Sequence, residues 1–434
     1  MKKLLIALAA LVVLASGVWI ATGFDADPDE RPRPEAPAEP DESEPEEDPA
    51  PSTAAAEILS HRARAVMGHD KGAFLASIDP KAKRFRKQQR KIFDRLTSLR
   101  FGRYELEVQT GDGDLARREH RRRYKSADEV FIPRVEETYR FKGYDDADFV
   151  SNLFFTFVLR DGEWLVAADN DLGKRNRTER NLWDYGPVKQ TRGKNVTLIQ
   201  HPCREAGCVE IGDSFIQQAE TARRRIKQKW KGAWNGRVVV LLTSSRREVR
   251  RIIDVDYAIS NFAAFAYSPF LDTGYSPARI VVDRATLAAS PPDFVELLLT
   301  HEMAHVATRR ASGPHIPLWV EEGLAEWMTR PPGDDADLYY SNQVAVGAVQ
   351  PRLATDREFR RGNAEELFLH YQSSRTAVAY FIERWGYTKF FRFYKTLGDS
   401  HNDSGGRAQH LRSAMRRFTR LSPGKFERQW ADSI

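Results

Sequence analysis

The chain has 434 residues, 41% of them hydrophobic and 11% aromatic, which is enough for two ordinary domains with real cores and excludes a wholly disordered protein. The net charge is +6, and the two cysteines supply at most half of a thiolate metal site. Met1-Lys2-Lys3 opens the chain ahead of an apolar run, Leu4 to Gly23. Two lysines before such a run match a secretory leader, and about 20 apolar residues also suffice to cross a bilayer as a helix. A retained anchor helix over residues 1–24 and a cleaved signal peptide both stay open, with a buried core helix as the plainer alternative. Either of the first two carries the rest of the chain out of the cytoplasm, because the lysines stay inside. An exported chain without a nucleic-acid motif is not expected to bind nucleic acid.

Between Asp25 and Glu57 stand 13 acidic and 2 basic residues on a tract dense in proline and alanine. That composition cannot bury enough apolar surface to fold, so residues 25–53 are expected to form an extended, disordered linker. Without the tract the remainder carries roughly +17. Such an excess would hold the protein near an anionic envelope surface or draw in acidic substrates; solvated Arg and Lys on helix faces would give the same count.

Residues 54–173 read as a first domain. Helical patterns span Ala55 to Val66, Phe74 to Ile78 and Phe85 to Leu99. Strand patterns follow at Tyr104 to Val108, Glu136 to Phe141, Phe149 to Leu159 and Trp164 to Ala168. Arg160-Asp161-Gly162-Glu163 is a hairpin signal, since Asp-Gly supplies the positive φ of a tight turn. Helices first and a curved antiparallel sheet afterwards predict an α+β cone. The order resembles the NTF2-like superfamily, with Phe155-Thr156-Phe157 and Trp164-Leu165-Val166 as sheet segments. The stretch carries no catalytic constellation, so a spacer or docking role is expected, or a ligand pocket inside the cone.

Residues 182–434 read as a second domain. It has a β-rich run at Arg237 to Leu242, a helix at Arg246 to Ile253 and a short strand at Arg279 to Val282. Mainly helical patterns follow, broken at Pro331-Pro332-Gly333 and around Gly398 to Gly406. Cys203 and Cys208 stand five positions apart; in an oxidising compartment a small disulfide loop is their expected use.

The segment Glu296-Leu297-Leu298-Leu299-Thr300-His301-Glu302-Met303-Ala304-His305-Val306 carries the chemistry. Ser290-Pro291-Pro292-Asp293 before it suits a helix start. On a helix, residues four apart share a face, so His301 and His305 can ligate one ion, and neutral imidazoles suit Zn²⁺. Glu302 can reach a water at an open coordination position, take its proton and return one to the leaving amine. A third ligand is required. The chain supplies Trp319-Val320-Glu321-Glu322-Gly323-Leu324-Ala325-Glu326-Trp327, with Glu321 beside Glu322 as a rival carboxylate.

Together these motifs resemble the gluzincins, the peptidase MA-like group related to thermolysin and aminopeptidase N. The resemblance spans roughly residues 230–430 and implies a thermolysin-like, mainly helical zincin domain with a small edge sheet. It places the third ligand at Glu322, and at Glu326 a carboxylate orienting the first histidine; a solvated helix position is the other outcome for Glu326. It puts at Tyr371, in His370-Tyr371-Gln372-Ser373-Ser374-Arg375, a donor to the forming oxyanion, or else a packing residue. Arg375 is a lesser candidate for contacting substrate carbonyls or an acidic group. The strand Arg279 to Val282 would be an edge that pairs with the substrate backbone; a buried strand would read the same. The aminopeptidase amine-binding segment Gly-x-Met-Glu-Asn is absent, so aminopeptidase activity does not follow. The implied activity is zinc-dependent hydrolysis of a peptide or protein substrate. Its rival is a silent envelope-binding module in which the NTF2-like domain binds the ligand and the zinc site is structural; such a site would need a fourth protein ligand, His315 for example.

Overall fold

Helix α1 (Pro51–Met67) takes in the last three residues of the expected linker and begins on a proline whose missing N–H costs nothing in a first turn. The computed structural model describes residues 50–434 apart from 174–175, 204–210, 255–262, 270, 272–274 and 400–405. The apolar run, most of the acidic linker and Cys208, the expected partner of Cys203, lie outside the described residues. Among the described residues no helix is long and apolar enough to cross a membrane.

Helix α2 (Lys71–Ala76) is capped by Asp70, whose side chain accepts from the Ala73 N–H. In α3 (Lys83–Leu96) Phe85, Ile92, Phe93 and Leu96 face inward, while Lys83, Arg84, Lys87, Arg90 and Lys91 are exposed. Six strands follow: β1 (Phe101–Gln109), β2 (Glu129–Phe131), β3 (Arg134–Phe141), β4 (Phe149–Phe154), β5 (Thr156–Arg160) and β6 (Glu163–Ala168), with the short α4 (Arg118–Arg123) between β1 and β2. They form two antiparallel sheets, ordered β1-β3-β4 and β2-β5-β6. The β5–β6 hairpin turns on Asp161 and Gly162 at φ of 50° and 79°, as the Asp-Gly signal predicts. The single strand expected over Phe149 to Leu159 is in fact two. The chain leaves one sheet at Phe154 and joins the other at Thr156, and a register shift beside it bends the run.

Helix α5 (Leu182–Tyr185) stands where the second domain was expected to open, yet it completes the first core. The Trp183 ring lies edge-on at 5.2 Å from Tyr139 and 5.9 Å from Phe101. Beyond it, β7 (Lys189–Arg192), β8 (Val196–Gln200), β9 (Val238–Thr243), β10 (Ala264–Tyr267) and β11 (Arg279–Asp283) form one sheet in the order β10-β11-β9-β8-β7. Strands β8, β9 and β11 run parallel and are buried along their whole length, which is why β9 reads as an unbroken apolar run. Strand β11 is therefore internal, contrary to expectation. The outer position belongs to β10, which pairs antiparallel along it.

Helix α6 (Asp213–Lys229) precedes β9, and α7 (Arg246–Ile252) follows it. The rest is helical: α8 (Arg284–Ala289), α9 (Pro292–Thr308), α10 (Leu318–Thr329), α11 (Asp335–Ala345), α12 (Asp356–Arg361), α13 (Ala364–Trp385), α14 (Tyr387–Gly398), α15 (Gly406–Thr419) and α16 (Pro423–Ala431). The expected class, α+β with a helical C-terminal part and small sheets, holds. Helix α9 packs on α6, α10, β10 and β11, and α10 packs on α13.

Candidate metal centre

Pro291 precedes α9 and Pro292 fills its first position, so the helix starts where the two prolines direct it. From Leu298 to Thr308 every side chain of α9 is buried. A helix apolar on nearly all sides belongs in a core, and His301, Glu302 and His305 are carried there with it. Helix α10 starts after Pro317; its first N–H, on Leu318, donates to Asp356 Oδ1 at 2.9 Å. Glu322 and Glu326 stand on this helix, one turn apart and fully buried. Helix α13 is capped by Asn363, which accepts from the Glu365 and Glu366 N–H groups, and brings Tyr371 inward.

Three of the expected residues converge. His301 Nε2 lies 3.2 Å from Glu322 Oε2 and 3.2 Å from His305 Nε2, and His305 Nε2 lies 3.3 Å from the same Glu322 oxygen. The three ligand atoms thus form a nearly equilateral triangle. Zinc bonds of about 2.0–2.1 Å in tetrahedral geometry set ligand atoms roughly 3.3 Å apart, so the triangle matches one face of such a site. The donor set fits in a second way. His301 Nδ1 lies 2.9 Å from Glu326 Oε1, which leaves Nε2 to offer a lone pair toward the second imidazole. Glu322 Oε1 is buried without a partner. A cation at the centre would satisfy all of these groups at once.

The electrostatics point the same way. Burial alone would depress the His301 imidazole, but Glu322 and Glu326 lift it to about 10. Burial opposes ionisation of Glu322 too, and the two histidines nevertheless hold it below the usual carboxylate range. Glu326 pays the same burial cost; Arg330 and His301 bring it down to about 2. The shifts show two buried carboxylates that favour positive charge beside them, and Glu326 already has Arg330 as such a partner.

The remaining expectations divide. Glu302 is fully buried next to His301 on α9. Glu326 is buried against His301 and is no solvated helix residue. The Tyr371 ring stands edge-on to His301, with centroids 5.8 Å apart. The Arg375 side chain is buried, ion-paired with Asp337, and donates to the Pro331 carbonyl at 2.6 Å. His315 stacks on His410 at 5.2 Å, and among the described residues no fourth His, Cys, Asp or Glu joins the three ligands. Sequence reasoning missed Arg330, whose Nε donates to Glu326 Oε2 at 2.8 Å.

No protein-family model and no curated protein matches the chain. Among solved structures it is similar to the M1 zinc metallopeptidase of Deinococcus radiodurans, at 16% identity and a TM-score of 0.32, over 64% of this chain and 58% of that one. A mutant of that enzyme bound to a Tyr-Ser-Ala substrate matches at 14% identity and a TM-score of 0.31, over 63% and 58%. The chain thus spans less than two thirds of the length of these enzymes. A likeness this distant carries no weight for activity, which rests on the geometry of the centre itself.

Proposed function

We propose that the chain is a zinc-dependent hydrolase of peptide bonds, acting outside the cytoplasm. The observation that carries the reading is the triangle of His301 Nε2, His305 Nε2 and Glu322 Oε2, with Glu302 beside it and no fourth protein ligand among the described residues. Two histidines and one carboxylate with an open position are a catalytic donor set; structural zinc sites close with four protein ligands. Zinc, when bound, supplies Lewis-acid polarisation of the scissile carbonyl and lowers the pKa of a bound water to about 7. The chain's own groups do the rest. Glu302 takes a proton at its carboxylate from the attacking water and hands one to the leaving amine. Glu326 holds the His301 ring in place through Nδ1. Tyr371 donates its hydroxyl proton to the developing oxyanion, where a positioned donor acts most strongly.

The location rests on the Lys2-Lys3 pair and the apolar run behind it, as a retained anchor or a cleaved leader. The exposed cations of α3 support contact with an anionic envelope surface. Zinc content and hydrolysis of a mixed peptide library, measured on the full chain beside Glu302→Gln, test the reading. The expected result is about one zinc per chain in both, with cleavage by the wild type alone. Zinc in both and cleavage by neither would favour the silent binding module. No zinc in either sinks the reading.

A further inference from the structure

The carboxylate that orients His301 is the first member of a longer chain of charges, none of which touches the three ligands directly except Glu326. Arg330, one turn further along, donates from Nε to Glu326 Oε2 at 2.8 Å and from Nη1 to Asp334 Oδ2 at 3.0 Å. Its side chain is only 10% exposed. Asp334 in turn caps α11 by accepting from the Asp337 N–H and lies 3.7 Å from Arg375 Nη1. Arg375, 5% exposed, also pairs with Asp337 and donates to the Pro331 carbonyl. Carboxylate and guanidinium alternate without a break from Glu326 to Asp337. The chain crosses three helices: α10 with Glu322 and Glu326, α11 with its Asp334 cap, and α13 with Arg375. On α13, Arg375 stands one turn after Tyr371, so the two share a face.

We infer that Arg330 is a positioning residue of the metal centre, acting through Glu326 on His301, and that Asp334 and Arg375 tie its position to the helix that carries Tyr371. The inference rests on the zinc reading above. A planar guanidinium with two carboxylates on separate nitrogens is held in orientation as well as in place. Glu326 Oε2 is thereby fixed, which leaves Oε1 2.9 Å from His301 Nδ1. Without Arg330, Glu326 is free to turn within its pocket, and the imidazole loses the partner that keeps Nε2 directed at the centre. Partners of this kind typically contribute 10–100-fold to metal affinity.

The test is the zinc dissociation constant of the full chain, read by chelator competition, with the unfolding midpoint of the metal-free protein beside it. Arg330→Met keeps the aliphatic stem and removes the charge. It is expected to weaken zinc binding by about 10–100-fold, beyond any change in the metal-free midpoint, and Arg330→Lys to recover part of the loss. A merely structural Arg330 would lower the metal-free midpoint and leave zinc affinity at the wild-type value, which overturns the inference. Should Arg330→Met not fold, Asp334→Asn spares the Glu326–Arg330 pair and is expected to weaken zinc several-fold; unchanged affinity there overturns the inference as well. Failure of the wild type to bind zinc is a different result, since it removes the metal reading itself and this inference with it.

Discussion

Tyr371 is buried between the His301 ring and the Phe359 ring, whose centroid lies 5.6 Å away, so its aromatic body has a packing job whatever its hydroxyl does. Removing only the oxygen separates the two roles. Tyr371→Phe keeps the packing, so zinc content and KM are expected to stay at wild-type values. Loss of one donor to an oxyanion lowers kcat by about 10²–10³. An unchanged kcat would leave Tyr371 a packing residue. At this scale the sequence was most legible where the chemistry is local. His301, Glu302 and His305 lie within one and a half turns of one helix, and Glu322 follows on the next helix of the chain. The partners of Arg375, Asp337 and the Pro331 carbonyl, were not legible, because they depend on how α13 lies against α11 and the α10–α11 connection, which helical periodicity does not encode.

Between elements, α10 lies against α9, with which it forms the centre, and against α13, which carries Tyr371. A β-carbon on Gly323 would collide with the Ser374 carbonyl and approach Val378 Cγ2 to 2.8 Å. The glycine after Glu322 is therefore a matter of space: it lets the helix with the third ligand lie against the helix with Tyr371. Overpacking at such a site costs about 1–3 kcal/mol, and because the obstacle is backbone the upper end applies, above the ~1 kcal/mol that Ala gains over Gly in a helix. Gly323→Ala is thus expected to lower the thermal midpoint and to weaken zinc binding together, measured by calorimetry and chelator competition. A variant with a raised midpoint would mean that the two helices part without cost. Strand order was harder to read than helix position. A strand of four residues, β10, gives little pattern, yet by pairing with β11 it moves the outer edge of the sheet from Arg279–Val282 to Ala264–Tyr267. Backbone pairing with a substrate at this side of the sheet would fall to β10, with β7 as the opposite edge.

For the molecule as a whole, the first sheets and the metal-bearing part share one apolar core rather than a loose linker. Their junction holds a buried ion pair. Arg279 of β11 donates from both terminal nitrogens to Asp145 at 2.5 and 2.8 Å, with side chains 1% and 2% exposed. The guanidinium also lies 4.7 Å from the centre of the Phe149 ring. Asp145 sits in the turn after β3, far from Arg279 in sequence, and neither residue stands out by pattern. The order of helix and strand patterns, from which two domains were read, carries no sign of this pair. Removing one partner of such a pair leaves a charge buried without compensation, at a cost of about 3–5 kcal/mol. Asp145→Ala is therefore expected to lower the unfolding free energy measured by denaturant titration by that amount, while Asp145→Ala combined with Arg279→Met recovers most of the loss, since the buried charge is gone as well. Because Arg279 stands on a strand packed against α9, the single variant should also release zinc at lower denaturant. A loss under 1 kcal/mol, or zinc release unaffected by it, would mean that water reaches the junction and that the first part is only tethered to the centre.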